Sequence, residues 1–251
     1  MKNIKSIKRT RLSFLLISFL TTFISLNSPM VYAEYLWGVD AKDEVYLWTG
    51  IGWQQIQGHL KQISVGADGT VWGINTKDEI WAYAGDNQWR QIPGSLKQVD
   101  VASQQYVWGI DAKNEIFRWT GKTWQLIQGW EQIQGTLKQV SVGTDGTVWG
   151  TSLNNTIWRY DGKQWIQVPG ALKQVDVGDA QHIWGVSAND HIYRWNGEYW
   201  ERIAGSLKYV SVGAKGTVWG VDAKDEVYFW TGKGWRQVQG SLKQLSCADY
   251  L

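Results

Sequence analysis

The sequence has little of what enzymes and disulfide-bonded secreted proteins are built from. Cys247 is the only cysteine in 251 residues, so no disulfide forms within the chain. Packing and closure of the fold must hold it together instead. The thiol is expected to be a small buried hydrophobe rather than a link between two chains. Histidine is nearly as scarce, with His59, His182 and His191 alone. His182 and His191 fall on different strands, and neither has a His/Cys cluster around it, so no metal site or acid–base pair is legible. No glycine-rich phosphate loop is present, because the glycines recur once per turn. The Asp-rich turns lack the ligand density of a calcium loop. Neither catalytic residues nor a cofactor is therefore expected. Helical periodicity is also missing beyond the N-terminus, which points to an all-β fold.

Acidic residues are absent from residues 1–33, where Lys2, Lys5, Lys8, Arg9 and Arg11 precede an apolar run from Leu12 to Leu26. Val31-Tyr32-Ala33 then places small residues at the −3 and −1 positions. That layout is a secretory signal peptide, with cleavage expected between Ala33 and Glu34. An uncleaved membrane anchor is the alternative, but the run is short for a span of about 20 residues; once the leader is cleaved, no membrane insertion is expected. Removing residues 1–33 leaves 20 basic against 23 acidic residues, a net charge of −3. The basicity of the full chain belongs to the leader, and no clustered positive charge remains to mark a nucleic-acid partner. Residues 34–251 are enough for one all-β domain with a substantial core.

Repetition dominates this domain. Trp-Gly recurs at Trp37, Trp72, Trp108, Trp149, Trp184 and Trp219, at intervals of 35, 36, 41, 35 and 35 residues. A second tryptophan follows each by 16 or 17 residues, at Trp53, Trp89, Trp124, Trp165, Trp200 and Trp235. Residues 60–94 show the unit: short strands at 60–65, 70–74, 80–83 and 89–92, separated by turns rich in Gly, Asp and Asn. Four such strands form an antiparallel meander, and six meanders fit a six-bladed β-propeller. Both faces of each blade would be covered by neighbours, which explains strands without clean apolar/polar alternation. An open solenoid would need polar capping repeats. The ends differ from that: Tyr35-Leu-Trp-Gly38 is a second strand without its first, and residues 242–247 are a first strand without partners. The C-terminal strand is thus expected to complete the N-terminal blade, joining residues 35–57 and closing the ring.

Two departures from strict repetition carry information. The 41-residue interval holds Trp124-Gln-Leu-Ile-Gln-Gly129 and then Trp130-Glu-Gln-Ile-Gln-Gly135, a duplicated fourth strand. One copy must leave the blade, so either Trp124 or Trp130 is exposed as a binding candidate, or the extra copy folds back on the blade. The repeats also alternate. Gly-Thr-Val precedes Trp72, Trp149 and Trp219, whereas Tyr35-Leu, Tyr106-Val and His182-Ile precede the others. Asp100 and Asp176 alternate with Ser64, Ser141 and Ser211 in the first strands, with Ser246 departing from its class. The unit is read as a pair of blades, giving threefold symmetry within the sixfold ring.

The blocks at residues 94–101 (GSLKQVDV), 140–150 (VSVGTDGTVWG) and 165–170 (WIQVPG) resemble tectonin repeats, such as those of fish egg lectins and tachylectin-1. The likeness covers residues 35–251. It implies a six-bladed propeller that binds carbohydrate, often on microbial surfaces such as lipopolysaccharide. The chain departs from vertebrate members in lacking their cysteines, which together with the Lys-rich leader fits a bacterial source.

A sugar site needs an apolar face for stacking and polar groups for the hydroxyls. The Trp-Gly tryptophans are assigned to the core, so the candidates lie elsewhere. Turns between second and third strands carry Asp40, Lys42, Asn75, Asp111, Lys113, Asn154, Asn189, Asp222 and Lys224. Tyr35, Tyr106 and His182 form a possible threefold set, and Trp130 is the duplicated aromatic. Ordinary solvated turns are the plainer reading of each position. Asn154-Asn-Thr156 also matches a glycosylation acceptor if the source is eukaryotic. The sequence thus points to a secreted lectin for glycans or lipopolysaccharide, with a protein-binding scaffold as the alternative.

Overall fold

The computed structural model describes residues 33–121 and 129–250. The expected signal peptide lies outside them apart from Ala33, and so does Trp124. In chain order the strands begin with β1 (Ala33–Val39), β2 (Glu44–Trp48) and β3 (Trp53–His59). The second repeat holds β4 (Gln62–Val65), β5 (Val71–Ile74), β6 (Glu79–Gly85) and β7 (Gln88–Ser95). The third holds β8 (Gln98–Ser103), β9 (Tyr106–Ile110), β10 (Glu115–Trp119) and β11 (Trp130–Thr136). Next come β12 (Gln139–Val142), β13 (Val148–Thr151), β14 (Thr156–Tyr160) and β15 (Trp165–Ala171). They are followed by β16 (Gln174–Val177), β17 (Ile183–Val186), β18 (His191–Trp195) and β19 (Trp200–Ser206). The chain ends with β20 (Tyr209–Val212), β21 (Val218–Val221), β22 (Glu226–Trp230), β23 (Trp235–Ser241) and β24 (Gln244–Asp249).

These strands form six four-stranded antiparallel sheets, and the first has the order β24-β1-β2-β3. Tyr35 to Val39 pair with Ala248 to Gln244, so the last strand closes the ring as the orphan ends implied. In the third blade Trp130, not Trp124, opens the fourth strand and pairs with Trp119. The tryptophan spacing in that repeat is therefore 22 residues, not 16, because the second copy of the hexapeptide is the one used.

Each blade interface has the same composition. The second-strand tryptophan of one blade is 1–5% exposed. It meets third- and fourth-strand aromatics of the next: Trp72 lies 5.2 Å from Trp119 and 5.9 Å from Trp130, edge-on. Trp108 meets Tyr160 and Trp165 in the same way, and Trp184 meets Trp230 and Trp235. At the closing interface Trp219 shares its cluster with Trp48 and Trp53 of the first blade, and Phe229 of its own blade lies 5.1 Å away. Edge-to-face rings add about 0.5–1.5 kcal/mol per pair beyond the area they bury.

A bulge prepares the seat. The register between third and fourth strands skips two residues, as between Glu44↔His59 and Val45↔Ile56. The skip frees the Gln57 carbonyl, which accepts the Trp89 Nε1–H at 2.7 Å; Gln239, Pro93 and Ala204 do the same for Trp53, Trp130 and Trp235. Gly205 in one such bulge has φ +119°, and a Cβ there would stand 2.9 Å from Trp235. Only glycine fits that approach.

The recurring Leu-Lys-Gln between blades has three separate jobs. The leucine covers the Trp-Gly glycine of its own blade, where a side chain would collide with it: Leu137 on Gly150, Leu172 on Gly185. The lysine bonds the Asp or Asn at the turn between second and third strands, as Lys173 does with Asp190. The glutamine amide mimics a strand: Gln139 accepts from Val175 N at 3.1 Å and donates to Val175 O at 2.8 Å in the next blade. Gln62, Gln98, Gln174 and Gln244 repeat this, and Tyr209 stands in the sixth place.

A second ring of bonds lines the centre. Each first-strand Ser or Asp accepts a backbone N–H from the next blade: Val101 to Ser64, Val142 to Asp100, Val177 to Ser141, Val212 to Asp176, Cys247 to Ser211 and Val65 to Ser246. Ser246 departs in residue type but not in role. The central space is narrow, about 30 Å³, which suits a single water rather than a ligand. Cys247 is 4% exposed, as expected of a small hydrophobe, and burial pushes its thiol pKa well up.

Burial raises Asp100 from 3.8 to about 6, and it raises Asp176 further with the Asp100 charge adding to the effect. A carboxyl whose folded pKa is raised contributes full stability below its unfolded pKa and loses it as pH climbs through the folded value. Asp100→Asn should therefore leave stability near pH 3.8 little changed and increase it at pH 8 by about 1–3 kcal/mol. Urea unfolding of both proteins across that range checks this, and a variant less stable than wild type at pH 8 would contradict it.

Candidate functional site

The antiparallel meander divides the sequence-derived candidates between two faces. Turns from second to third strands lie at one end of the blades, with Asp40, Lys42, Asn75, Asp111, Lys113, Asn154, Asn189, Asp222 and Lys224. Tyr35, Tyr106 and His182 stand at the other end, at the beginnings of second strands. Five residues of strand separate Tyr35 from Asp40, about 16 Å at 3.3 Å per residue. The structure does not bring these two groups into one site.

On the first face, the Asp and Asn side chains close their own turns. Asp111 Oδ1 accepts from Lys113 N at 2.9 Å and Glu115 N at 2.8 Å. Asp40, Asn75 and Asp222 make the same pair of bonds, and Ser152 does so for Asn154 and Thr156. The residue three positions on takes a left-handed φ, 69° at Asn114 and 66° at Asp43, which Asp and Asn tolerate better than other residues. Lys42, Lys113, Lys224, Asn154 and Asn189 are exposed. Burial lowers the pKa of Lys97 and Lys138, the two lysines whose turn partner is Asn114 or Asn155 rather than Asp.

On the second face, the alternation acquires a physical cause. The rings of Tyr35, Tyr106 and His182 lie over Gly69, Gly146 and Gly216 of the following blade and would be crowded by a side chain there. The three glycines have φ of +80°, +83° and +85°. Gaps between blade pairs are joined differently: Asp68 Oδ2 accepts from Gln104 N at 2.7 Å, and Asp145 Oδ2 from Ala180 N at 2.9 Å. At the third such gap Asp249 reaches back to Lys215 N at 2.6 Å. His182 is also held by Asp179, with Nδ1 2.9 Å from Oδ1. His191 lies at the opposite end of the same blade, so the two histidines do not converge.

Two candidates do meet. Asp111 and Trp130 line a groove of about 360 Å³ between the second and third blades, with Phe117, Pro93 and Gln132. Trp130 is half-buried, its Nε1 tied to Pro93 O at 3.1 Å, so its role there is a wall of the groove rather than a free loop residue. Phe117 and Gln132 escaped the sequence reading. The signal was present: other blades carry Tyr46, Trp81, Trp158, Tyr193 or Tyr228 where Phe117 stands. Tyr46 and Tyr228 each donate a hydroxyl bond to a glutamate at 3.0 Å, an arrangement phenylalanine cannot make. The groove offers an aromatic wall beside a carboxylate and an amide, which is a surface for hydroxylated ligands. Among the described residues no group of three or more His, Cys, Asp or Glu is placed to hold a metal ion.

A six-bladed ring closed by a split blade defines the class of this protein. The Tectonin domain matches residues 30–128, 105–198 and 186–250, and the chain belongs to that family. No curated protein matches it. Solved structures are similar at the level of the fold. One described as the propeller domain of Cps50 (Swd1) from Myceliophteria thermophila has 10% identity and a TM-score of 0.57, over 86% of this chain and 82% of that one. YCF48 bound to a D1 peptide has 15% identity and a TM-score of 0.54, over 82% and 79%. A streptogramin B lyase has 16% identity and a TM-score of 0.53, over 72% and 68%.

The turn role of Asp111 can be tested by substitution. Asp111→Asn should keep the turn, whereas Asp111→Ala should cost about 1 kcal/mol in chemical unfolding. Equal stability of all three proteins would contradict the turn-closing role of Asp111.

Proposed function

We propose that this protein is a secreted lectin that holds glycans, such as lipopolysaccharide or another microbial polysaccharide, without transforming them. The observation that carries the reading is the Asp111–Phe117–Trp130 groove, where an aromatic wall stands beside polar side chains in a tectonin ring. Exposed Lys42, Lys113, Lys224, Asn154 and Asn189 give the same face further hydroxyl- and anion-binding groups. Sites of this kind are weak singly and gain about 10²–10⁴ in avidity when several engage one surface. The basic, apolar leader of residues 1–33 supports export to the periplasm or the exterior, where such surfaces are met. Among the described residues no helix is long and apolar enough to cross a membrane.

The protein-binding alternative draws on YCF48, a propeller of similar fold solved with a peptide bound. Glycan and lipopolysaccharide arrays separate the two. The lectin reading expects saturable binding, competed by a simple sugar and weakened by Trp130→Ala. An array without a hit, together with one stoichiometric protein partner undisturbed by sugars, would overturn it.

A further inference from the structure

A second cavity, of about 540 Å³, opens between the same two blades but towards the opposite face. Its origin is a single cross-strand pair. The fourth residue of each third strand faces the following blade and pairs with a fourth-strand residue. The pairs are Leu47↔Gln54, Arg118↔Glu131, Arg159↔Ile166, Arg194↔Glu201 and Phe229↔Arg236. In the second blade the pair is Ala82↔Arg90.

Three of the other four cations are matched, whereas Arg159 stands opposite Ile166. Arg118 bonds Glu131, Arg194 bonds Glu201 at 2.6 Å, and Arg236 lies over the Phe229 ring at 5.5 Å. Arg90 faces an alanine and has no carboxylate or ring partner among the described residues. The small side chain of Ala82 also leaves the space that Leu47 or Phe229 fills. Trp72 and Trp119, 5% and 7% exposed, provide an apolar floor. Thr70, Gln105 and Asp68 add hydroxyl, amide and carboxylate groups to the lining. Asp68 already accepts Thr70 N at 3.0 Å and Gln104 N at 2.7 Å, so backbone dipoles offset part of its charge.

We infer that this cavity is a binding site for a sugar ring bearing an oxyanion, with Arg90 holding the carboxylate or phosphate. The volume falls within the range of about 300–1,000 Å³ typical of small-ligand sites. A guanidinium fork matches either oxyanion with two parallel bonds. Asp68 takes hydroxyl hydrogens and disfavours compact ions of high negative charge, so a sugar fits where a bare anion does not. The inference rests on the lectin reading but uses residues distinct from the Asp111–Trp130 groove.

Isothermal titration with glucuronate, glucose 6-phosphate and methyl glucoside tests it, using Ala82→Leu and Arg90→Gln. Those substitutions recreate the Leu47↔Gln54 pair of the first blade, so both are compatible with the fold, and thermal unfolding verifies this. At least one anionic sugar should bind about tenfold more tightly than methyl glucoside, and each substitution should remove that advantage. The more tightly held of the two identifies the oxyanion. No preference for an anionic sugar, or binding unchanged by both substitutions, overturns the site. If the variants lose the anionic sugar yet keep array glycans that Trp130→Ala loses, both readings stand. If array binding persists without any anionic preference, only this one falls.

Discussion

The ring depends on one contact made at every blade interface: a second-strand tryptophan set against the outer aromatics of the next blade. An isolated blade would leave this large ring exposed on one side and a seat for its neighbour's ring empty on the other. Only closure satisfies all six at once. This explains how a domain with a single cysteine dispenses with disulfides: Trp219 is 1% exposed because β24 and β1 supply the last blade. The serine, aspartate and glutamine bonds of the inner strands then fix the register between blades. Packing supplies the drive, and these polar bonds supply the alignment.

Within that frame, variation among repeats separates positions that join blades from positions that leave space between them. The alternation of Tyr or His with Gly is a joint within each blade pair, and Asp68, Asp145 and Asp249 make the joints between pairs. Two residues that break the pattern without serving a joint, Phe117 and Ala82, lie at one interface. Phe117 replaces a hydroxyl- or indole-bearing side chain, and Ala82 replaces a longer one. Each opens space between the second and third blades, on opposite faces. Sixfold repetition thus supplies the scaffold, and local departures from it open the grooves.

Much of the fold was legible because its forces repeat. Six Trp-Gly pairs and two orphan strands fixed blade number and closure, and the core role of the tryptophans followed from their invariance. The duplicated strand could not be resolved, since Trp124 and Trp130 head near-identical hexapeptides and only register with Trp119 selects one. The candidate site was less legible. Asp40, Asn75, Asp111 and Asp222 have the composition of a sugar site, but each closes a turn through its own Oδ1. Tyr35, Tyr106 and His182 repeat as contacts on Gly69, Gly146 and Gly216, on the face away from those turns. Grooves arise from what neighbouring blades leave unfilled, and that is a property of two repeats together rather than of either sequence.

The claim on which the account rests is that closure by the split blade stabilises the whole ring. Removing residues 244–251 deletes β24 while leaving every other strand intact. The account expects loss of the single cooperative unfolding transition in urea, followed by near-ultraviolet circular dichroism of the tryptophans, in all six blades together. A truncated chain that unfolds cooperatively at the full-length midpoint would contradict it.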